Sequence, residues 1–172
     1  MKKKTLTKNI VLIGLMGSGK TMIAKELAKR LKVKRCCIDE MIESKENRLI
    51  SRIIDDKGWP YFRNLEHKIV KKLSSLKGVI IDCGGGVVLN PENFELLRKN
   101  GTIFHLKVTP EVIYKRLKDD TTRPLIKGPN PKALIKAIYK ERLPLYNKAD
   151  VIIDASDPSI EGPVVEILKK VL

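Results

Sequence analysis

One segment near the start of the chain constrains its fold more than any other: residues 14–21 read Gly-Leu-Met-Gly-Ser-Gly-Lys-Thr. The apolar run at residues 10–13 precedes this segment, and apolar residues at helical spacing follow it. A strand, a glycine-rich turn and a helix in this order form the G-x-x-x-x-G-K-[ST] phosphate loop, whose backbone N–H groups surround phosphates at a helix N-terminus. We therefore predict a nucleoside triphosphate site within an α/β fold.

The residue types in and after the loop predict individual contacts. Lys20 is expected to reach the β- and γ-phosphates and to take part in catalysis, and the Thr21 hydroxyl is expected to bind Mg²⁺. The predicted nucleotide-binding residues of this segment are Gly17, Ser18, Gly19, Lys20, Thr21 and Met22.

Length and composition fit one globular domain over residues 1–172, with 42% apolar residues. The formal charge is +15, from 35 basic and 20 acidic residues. Most of this excess is lysine spread along predicted helices, and no aromatic residues interleave with it as a base-stacking surface requires. We expect the charge to attract anionic substrates, and we do not expect a nucleic-acid partner.

Two further features of the sequence bear on the cellular location of the protein. Lysines at residues 2–4 precede an apolar stretch as in a signal peptide, but the stretch ends in the phosphate loop and not in a small-residue cleavage site. No other run is long enough to span a membrane. The cysteines Cys36, Cys37 and Cys83 lack zinc-ligand spacing, so we expect a reduced, cytoplasmic protein.

Strand and helix patterns alternate along the rest of the chain. Apolar runs predict strands at residues 36–38, 79–82, 102–108 and 151–153. Apolar residues at helical spacing predict a helix at residues 60–76, helices from about residues 91, 110 and 131, and a further helix at the C-terminus. This alternation predicts a parallel sheet covered by helices on both faces, with ligands at the carboxyl ends of its strands.

Residues suited to catalysis follow two of the predicted strands. Asp39 ends the second strand, where its carboxylate is placed to accept a hydrogen bond from an attacking hydroxyl. Asp82 ends the third strand and, with Thr21, is the predicted Mg²⁺ site. Three glycines, Gly84, Gly85 and Gly86, come directly after it and allow the backbone to approach a ligand closely.

Three arginines are candidates for binding anionic groups. Arg63 and Arg142 lie in predicted helices, and their planar guanidinium groups fit a carboxylate. For Arg63 the alternative is a simple ion pair with Glu66, one helical turn away. Arg123 lies in a polar stretch, residues 118–130, that suits a lid over the nucleotide and would supply an arginine finger in cis. An ordinary surface loop is the alternative for this stretch.

These segments together resemble the shikimate kinases, small relatives of the nucleoside monophosphate kinases, over nearly the whole chain. The resemblance rests on the phosphate loop, residues 38–43, Phe62-Arg63-Asn64-Leu65-Glu66, the three glycines, Thr122-Arg123-Pro124-Leu125 and Arg142-Leu143-Pro144-Leu145-Tyr146. It implies a three-layer α/β/α P-loop kinase fold with a five-stranded parallel sheet in the order 2-3-1-4-5. Residues 39–76 would supply the substrate-binding helices, and a monomer is expected.

The activity implied by the resemblance is transfer of a phosphate from ATP to the 3-hydroxyl of shikimate, in the pathway to chorismate and the aromatic amino acids. Asp39 matches the acid that holds the reacting hydroxyl. Arg63 and Arg142 match the arginines that bind the shikimate carboxylate. The other implied roles are support of Arg63 by Glu66, substrate contacts by Gly85 and Gly86, a lid arginine at Arg123 and packing over adenine by Arg116.

The chain departs from the family pattern at two positions. Where the family usually has Asp-x-Asp, this chain has Cys37-Ile38-Asp39, so the acid that acts on the Mg²⁺ side through water is missing. We hypothesise that Asp82 compensates from the neighbouring strand. Trp59 stands where the family commonly has Glu, which removes an ion-pair partner near Arg63.

Two alternatives remain open from the sequence. The same fold and nucleotide would also serve a kinase for another acceptor, such as gluconate or a nucleoside monophosphate. A nucleotide-binding protein without kinase activity is the second alternative, suggested by Cys37. The presence of Lys20, Asp39 and Arg123 favours catalysis.

Overall fold

A five-stranded parallel sheet forms the centre of the computed structural model, which describes residues 6–120 and 128–172. Its strands are β1 (Asn9–Ile13), β2 (Arg35–Cys37), β3 (Ile80–Asp82), β4 (Gly101–Lys107) and β5 (Val151–Asp154). The helices are α1 (Lys20–Leu31), α2 (Ile38–Glu46), α3 (Ile50–Leu73), α4 (Pro91–Asn100), α5 (Pro110–Leu117), α6 (Pro131–Tyr146) and α7 (Glu161–Val171), with a short 3₁₀ helix at Val87–Leu89.

The first strand occupies the middle of the sheet. The order is β2-β3-β1-β4-β5, which confirms the order 2-3-1-4-5 implied by the resemblance. Leu12 of β1 is the register partner of Asp82 in β3 and of Phe104 in β4. All five residues of β1 are buried, as expected for a parallel strand covered on both faces.

Helices pack on this sheet through apolar stripes. The stripe of α1 consists of Ile23, Ala24 and Leu27, and α1 contacts β3 and α7. Helix α4 packs against β4 and α3. This arrangement confirms the predicted three-layer α/β/α fold. Within the described residues, none of the helices combines the length and the apolar character needed to cross a membrane.

The predicted second strand was wrong at its carboxyl end. The strand stops at Cys37, the last extended residue, and Ile38 already begins α2. Asp39 therefore lies in the first turn of α2 and not at the end of a strand. A carboxylate is favoured at this position because the unpaired N–H groups of a helix N-terminus carry partial positive charge.

A glycine divides α3 into two parts. Gly58 has φ 78° and ψ 169°, a backbone conformation that side chains with a Cβ strongly disfavour. Pro60 follows two residues later, and it fits the first turn of the second part because no helical hydrogen bond is required of its nitrogen there. The helix predicted to begin at Pro60 is thus the second part of α3, and it ends at Leu73 and not at residue 76.

A buried asparagine links the start of β1 to the segment before β3. Asn9 is 1% exposed; its Nδ2 donates to the Leu76 carbonyl at 2.7 Å, and its Oδ1 accepts from the Val79 N–H at 3.1 Å. Both backbone groups therefore depend on one side chain.

We predict that Asn9→Ala lowers the free energy of unfolding by about 2 kcal/mol, because the Leu76 and Val79 backbone groups lose their partner. Ser75→Ala is the control: its exposed hydroxyl donates to Lys72 within the same helical turn, and the expected change is below about 0.5 kcal/mol. Urea unfolding followed by circular dichroism measures both. A midpoint for Asn9→Ala equal to that of the wild type would contradict the prediction.

Candidate active site

The phosphate loop has the geometry that its sequence predicts. Gly17 and Gly19 both have positive φ, 75° and 87°, and α1 begins directly after Gly19. Lys20 is 9% exposed, and its Nζ donates to the carbonyls of Gly14 at 2.9 Å and Leu15 at 3.0 Å. The ammonium group is therefore held across the loop, next to the positions where phosphates bind.

A cavity of about 510 Å³ opens in front of this loop. Its walls come from the loop, the carboxyl ends of β2 and β3, and the segment between β5 and α7. All seven predicted nucleotide-binding residues line it: Gly17, Ser18, Gly19, Lys20, Thr21, Met22 and Arg116. The structure thus brings together every residue assigned to the nucleotide from the sequence.

Arg116, in α5, joins the phosphate loop to the segment before α7. Its guanidinium donates to the Gly17 carbonyl at 3.1 Å and to the carbonyls of Ala155 at 2.9 Å, Ser156 at 3.2 Å and Asp157 at 3.0 Å. One side chain thus fixes two opposite walls of the nucleotide cavity relative to each other.

A second cavity, of about 420 Å³, adjoins the first. We call it the acceptor cavity. The residues lining it are Met16, Asp39, Glu43, Leu49, Ile50, Ser51, Ile54, Trp59, Phe62, Arg63, Glu66, Gly84, Gly85, Gly86 and Arg142. Four of these, Met16, Asp39, Gly84 and Gly85, also line the nucleotide cavity. Asp39 therefore lies where a group bound in one cavity meets a group bound in the other.

Arg63 and Glu66 form an ion pair at the wall of the acceptor cavity. Nη1 of Arg63 lies 2.8 Å from Oε2 of Glu66, which is 1% exposed. Burial raises the pKa of the Glu66 carboxyl, while the Arg63 charge acts in the opposite direction. Arg63 thus pairs with Glu66 and also lines the acceptor cavity. The two roles considered from the sequence, an ion pair and the binding of an anionic group, are therefore compatible.

The three glycines allow side chains from other elements to approach the backbone. An ideal Cβ on Gly84 would lie 2.8 Å from Oδ1 of Asp39 and 3.3 Å from Oε1 of Glu66, and one on Gly86 would overlap the Arg63 guanidinium. A side chain at either position would displace these groups. Gly84 and Gly86 are therefore required by the close approach of Asp39, Glu66 and Arg63.

Arg142 reaches the acceptor cavity from α6. It is 5% exposed, and its buried Nε has no hydrogen-bond partner among the residues that the structure describes. A guanidinium buried with an unsatisfied donor beside a cavity is suited to binding an anionic group. The candidate carboxylate-binding arginines, Arg63 and Arg142, are thus on the same cavity, as predicted.

Tyr146 supports the backbone of the site, a role that was not predicted from the sequence. Its ring is fully buried and stacks on His105, with ring centroids 5.1 Å apart, and its hydroxyl donates to the Gly85 carbonyl at 2.5 Å. Burial raises the pKa of Tyr146 to about 12 and lowers that of His105 to about 4, so both rings are neutral. The spacing of four residues from Arg142 was the available signal, since it places both on one side of α6.

The predicted Mg²⁺ ligands, Thr21 and Asp82, lie in the same cavity, but Asp82 also pairs with an arginine. Thr21 and Asp82 both line the nucleotide cavity, and Cys37 is the register partner of Asp82 in β2. Oδ2 of Asp82 accepts a hydrogen bond from Nη2 of Arg35 at 2.8 Å. Burial raises the pKa of Cys37 to about 12, so its thiol is neutral and does not replace a carboxylate.

Among the described residues, no group of three or more His, Cys, Asp or Glu side chains could hold a metal ion by itself. One hydroxyl and one carboxylate beside a phosphate loop nevertheless fit Mg²⁺, which commonly binds through few protein ligands together with substrate phosphates and water. Arg123, and with it most of the predicted lid at residues 118–130, lies outside the described residues.

The family model for shikimate kinase, SKI, matches residues 16–172. A shikimate kinase of Thermodesulfovibrio yellowstonii is 42% identical over 163 residues, which cover 95% of this chain and 94% of that protein. The solved structure titled shikimate kinase from Acinetobacter baumannii in complex with shikimate superposes with a TM-score of 0.91 at 30% identity, covering 95% of this chain and 92% of that one. The shikimate kinase of Aquifex aeolicus gives 0.81 at 36% identity, with 94% of each chain covered.

The matching family model and this identity over nearly the full length agree with the two adjoining cavities at the carboxyl ends of the central strands. The chain belongs to the shikimate kinase family.

Proposed function

We propose that this protein transfers the γ-phosphate of ATP to the 3-hydroxyl of shikimate, giving shikimate 3-phosphate and ADP. The observation that carries the proposal is the position of Asp39 on the wall shared by the nucleotide and acceptor cavities, with Arg63 and Arg142 on the acceptor side. Membership of the shikimate kinase family and the likeness to a relative solved in complex with shikimate support the choice of acceptor.

In this proposal, the two arginines bind and orient the acceptor. Arg63 and Arg142 donate to the shikimate carboxylate, whose planar oxygens match guanidinium groups. The backbone at Gly85 and Gly86 contacts the hydroxylated cyclohexene ring. Because Glu66 and Gly86 hold Arg63 in place, the acceptor finds a preformed site, which reduces the entropy lost on binding.

Asp39 acts on the reacting hydroxyl. Its carboxylate accepts the hydrogen bond of the 3-hydroxyl and takes its proton as the new O–P bond forms and the bond from the γ-phosphorus to the departing ADP oxygen breaks, the role of the base in phosphoryl transfer. Lys20 and the backbone N–H groups of the phosphate loop neutralise charge on the transferred group. Arg123 is proposed as the lid arginine that contacts both substrates.

The metal in this proposal is Mg²⁺ bound to ATP, which would neutralise phosphate charge. Thr21 would hold it with its hydroxyl, and Asp82 would act from the strand next to Cys37. In this proposal, Arg63 and Arg142 position the acceptor, and Lys20 and the metal neutralise phosphate charge.

A coupled assay of ADP release with shikimate, gluconate and nucleoside monophosphates as acceptors tests the proposed function. Release should depend on shikimate and stay at background with the other compounds. Release with gluconate or a nucleoside monophosphate alone would favour a kinase for another acceptor. Absence of any acceptor-dependent release would favour a nucleotide-binding protein without kinase activity.

We predict that Asp39→Asn lowers kcat by at least about 100-fold, because the amide does not accept the hydroxyl proton. The affinity for ATP, measured by calorimetry, should stay within about threefold, since the phosphate loop is unchanged. Glu40→Gln is a matched control in the same helical turn, whose exposed carboxylate pairs with Arg35. A kcat for Asp39→Asn near that of Glu40→Gln would contradict the role of Asp39.

We predict that Arg63→Lys raises the KM for shikimate about 10- to 100-fold, because an ammonium group lacks the two parallel donors that bind a carboxylate. Arg98→Lys is the control: Arg98 also pairs with an acid, Asp150, and lies over a ring, Phe94, but outside both cavities. Steady-state kinetics at saturating ATP measure both. Equal KM values for the two variants would contradict carboxylate binding by Arg63.

We predict that Asp82→Asn raises the Mg²⁺ concentration for half-maximal rate about tenfold, because the metal loses the only acid we assign to it. Calorimetry of ADP with and without Mg²⁺ gives a second measure that does not depend on turnover. Glu40→Gln serves as control, since Glu40 is the other partner of Arg35. Unchanged Mg²⁺ dependence in Asp82→Asn would limit that residue to its ion pair with Arg35.

A further inference from the structure

Trp59 lines the acceptor cavity, where its indole ring contacts Arg63. Cζ of Arg63 lies 5.2 Å from the Trp59 ring centroid and 5.0 Å from that of Phe62. The two rings meet edge to face, with centroids 5.9 Å apart and planes at 79°. The guanidinium therefore lies against a corner formed by two aromatic rings, a geometry in which cation–π attraction is favourable.

The kink in α3 places these residues together. Gly58 ends the first part of the helix, and Trp59, Phe62 and Arg63 follow in the second part. Residues three and four apart in a helix lie on one side of it, so Trp59 contacts both Phe62 and Arg63. The contact thus depends on the glycine that restarts the helix directly before Trp59.

Two further groups complete the surroundings of Arg63. Its Nη1 pairs with Glu66 at 2.8 Å, and its guanidinium lies so close to Gly86 that a Cβ there would overlap it. Aromatic rings, a carboxylate and a glycine backbone hold the group from different directions. Its orientation is therefore set before an acceptor binds.

The acceptor cavity contains side chains of both charges, and the Trp59 ring adds none. Among the described lining residues, Asp39, Glu43 and Glu66 are acidic, and Arg63 and Arg142 are basic. The family commonly has Glu at position 59, whereas this chain has an uncharged ring there, beside Arg63. An indole ring orients the same guanidinium without a negative charge of its own.

We propose that Trp59 is a positioning residue for carboxylate binding, because its ring holds the Arg63 guanidinium at the wall of the acceptor cavity, at a position where the family commonly has Glu. This inference rests on the proposed function, since shikimate is the carboxylate that Arg63 would bind.

The chain contains one tryptophan, so its fluorescence reports directly on this contact. Titration with shikimate, without nucleotide, should give a saturable change in emission. The methyl ester of shikimate, which lacks the negative charge, should bind at least tenfold more weakly. An emission that does not respond to shikimate, or equal affinities for the acid and its ester, would overturn the inference.

Variants separate positioning from a general structural role. Trp59→Leu removes the ring and should raise the KM for shikimate about tenfold, with kcat within twofold. Trp59→Phe keeps a ring and should stay within about threefold of the wild-type KM. Tyr61→Leu is the matched control, because the Tyr61 ring holds a cation, Lys57, on the same helix but outside the acceptor cavity.

A KM for Trp59→Leu equal to that of Tyr61→Leu would overturn the inference while shikimate turnover by the wild type continues. Absence of wild-type turnover with shikimate would instead overturn the proposed function. In that case the fluorescence titration, repeated with gluconate and its uncharged lactone, still decides the inference, because it measures carboxylate binding beside Trp59 without catalysis.

Discussion

Parallel pairing of β1 with β3 is the constraint on which both cavities depend. Leu12 and Asp82 are register partners, and the Cys83 N–H donates to the Leu12 carbonyl at 3.2 Å. The loops after the two strands consequently leave the sheet side by side at the same edge. The phosphate loop and the three glycines are thus neighbours in space although about 70 residues of chain separate them. A shift of one residue in this pairing would move the three glycines by about 3.3 Å relative to the phosphate loop.

Charge balance is the second requirement of the site. Glu66 is buried beside the cavity, and its ion pair with Arg63 compensates part of the cost of removing a carboxylate from water. Asp39 also lies close to Gly84, since an ideal Cβ there would lie 2.8 Å from its Oδ1 and 3.3 Å from Oε1 of Glu66. Arg63 and Arg142 therefore stabilise the free protein as well as the bound ligand. Without them, the carboxylates of Asp39 and Glu66 would lie close together around one short loop with less compensating positive charge.

Features set by local spacing could be predicted from the sequence, and features set by distant contacts could not. The phosphate loop and the Arg63–Glu66 pair follow from residues within one or two helical turns. By contrast, the bond from Tyr146 to Gly85 joins residues 61 positions apart, and that from Arg35 to Asp82 joins residues 47 apart. The position of Asp39 in a helix, and not at the end of a strand, was not predicted for another reason. Strand β2 and helix α2 meet within one residue, and apolar patterns do not locate such a boundary.

The hydrogen bonds of Arg116 extend the nucleotide site to residues that follow the last strand. Its guanidinium bridges the Gly17 carbonyl and the carbonyls of residues 155–157, which lie after the last strand. A ribosome would thus complete all five strands before it completes the nucleotide cavity. During synthesis, the sheet can assemble first, and the nucleotide cavity is complete only when residues 155–163, which form part of its wall, have emerged.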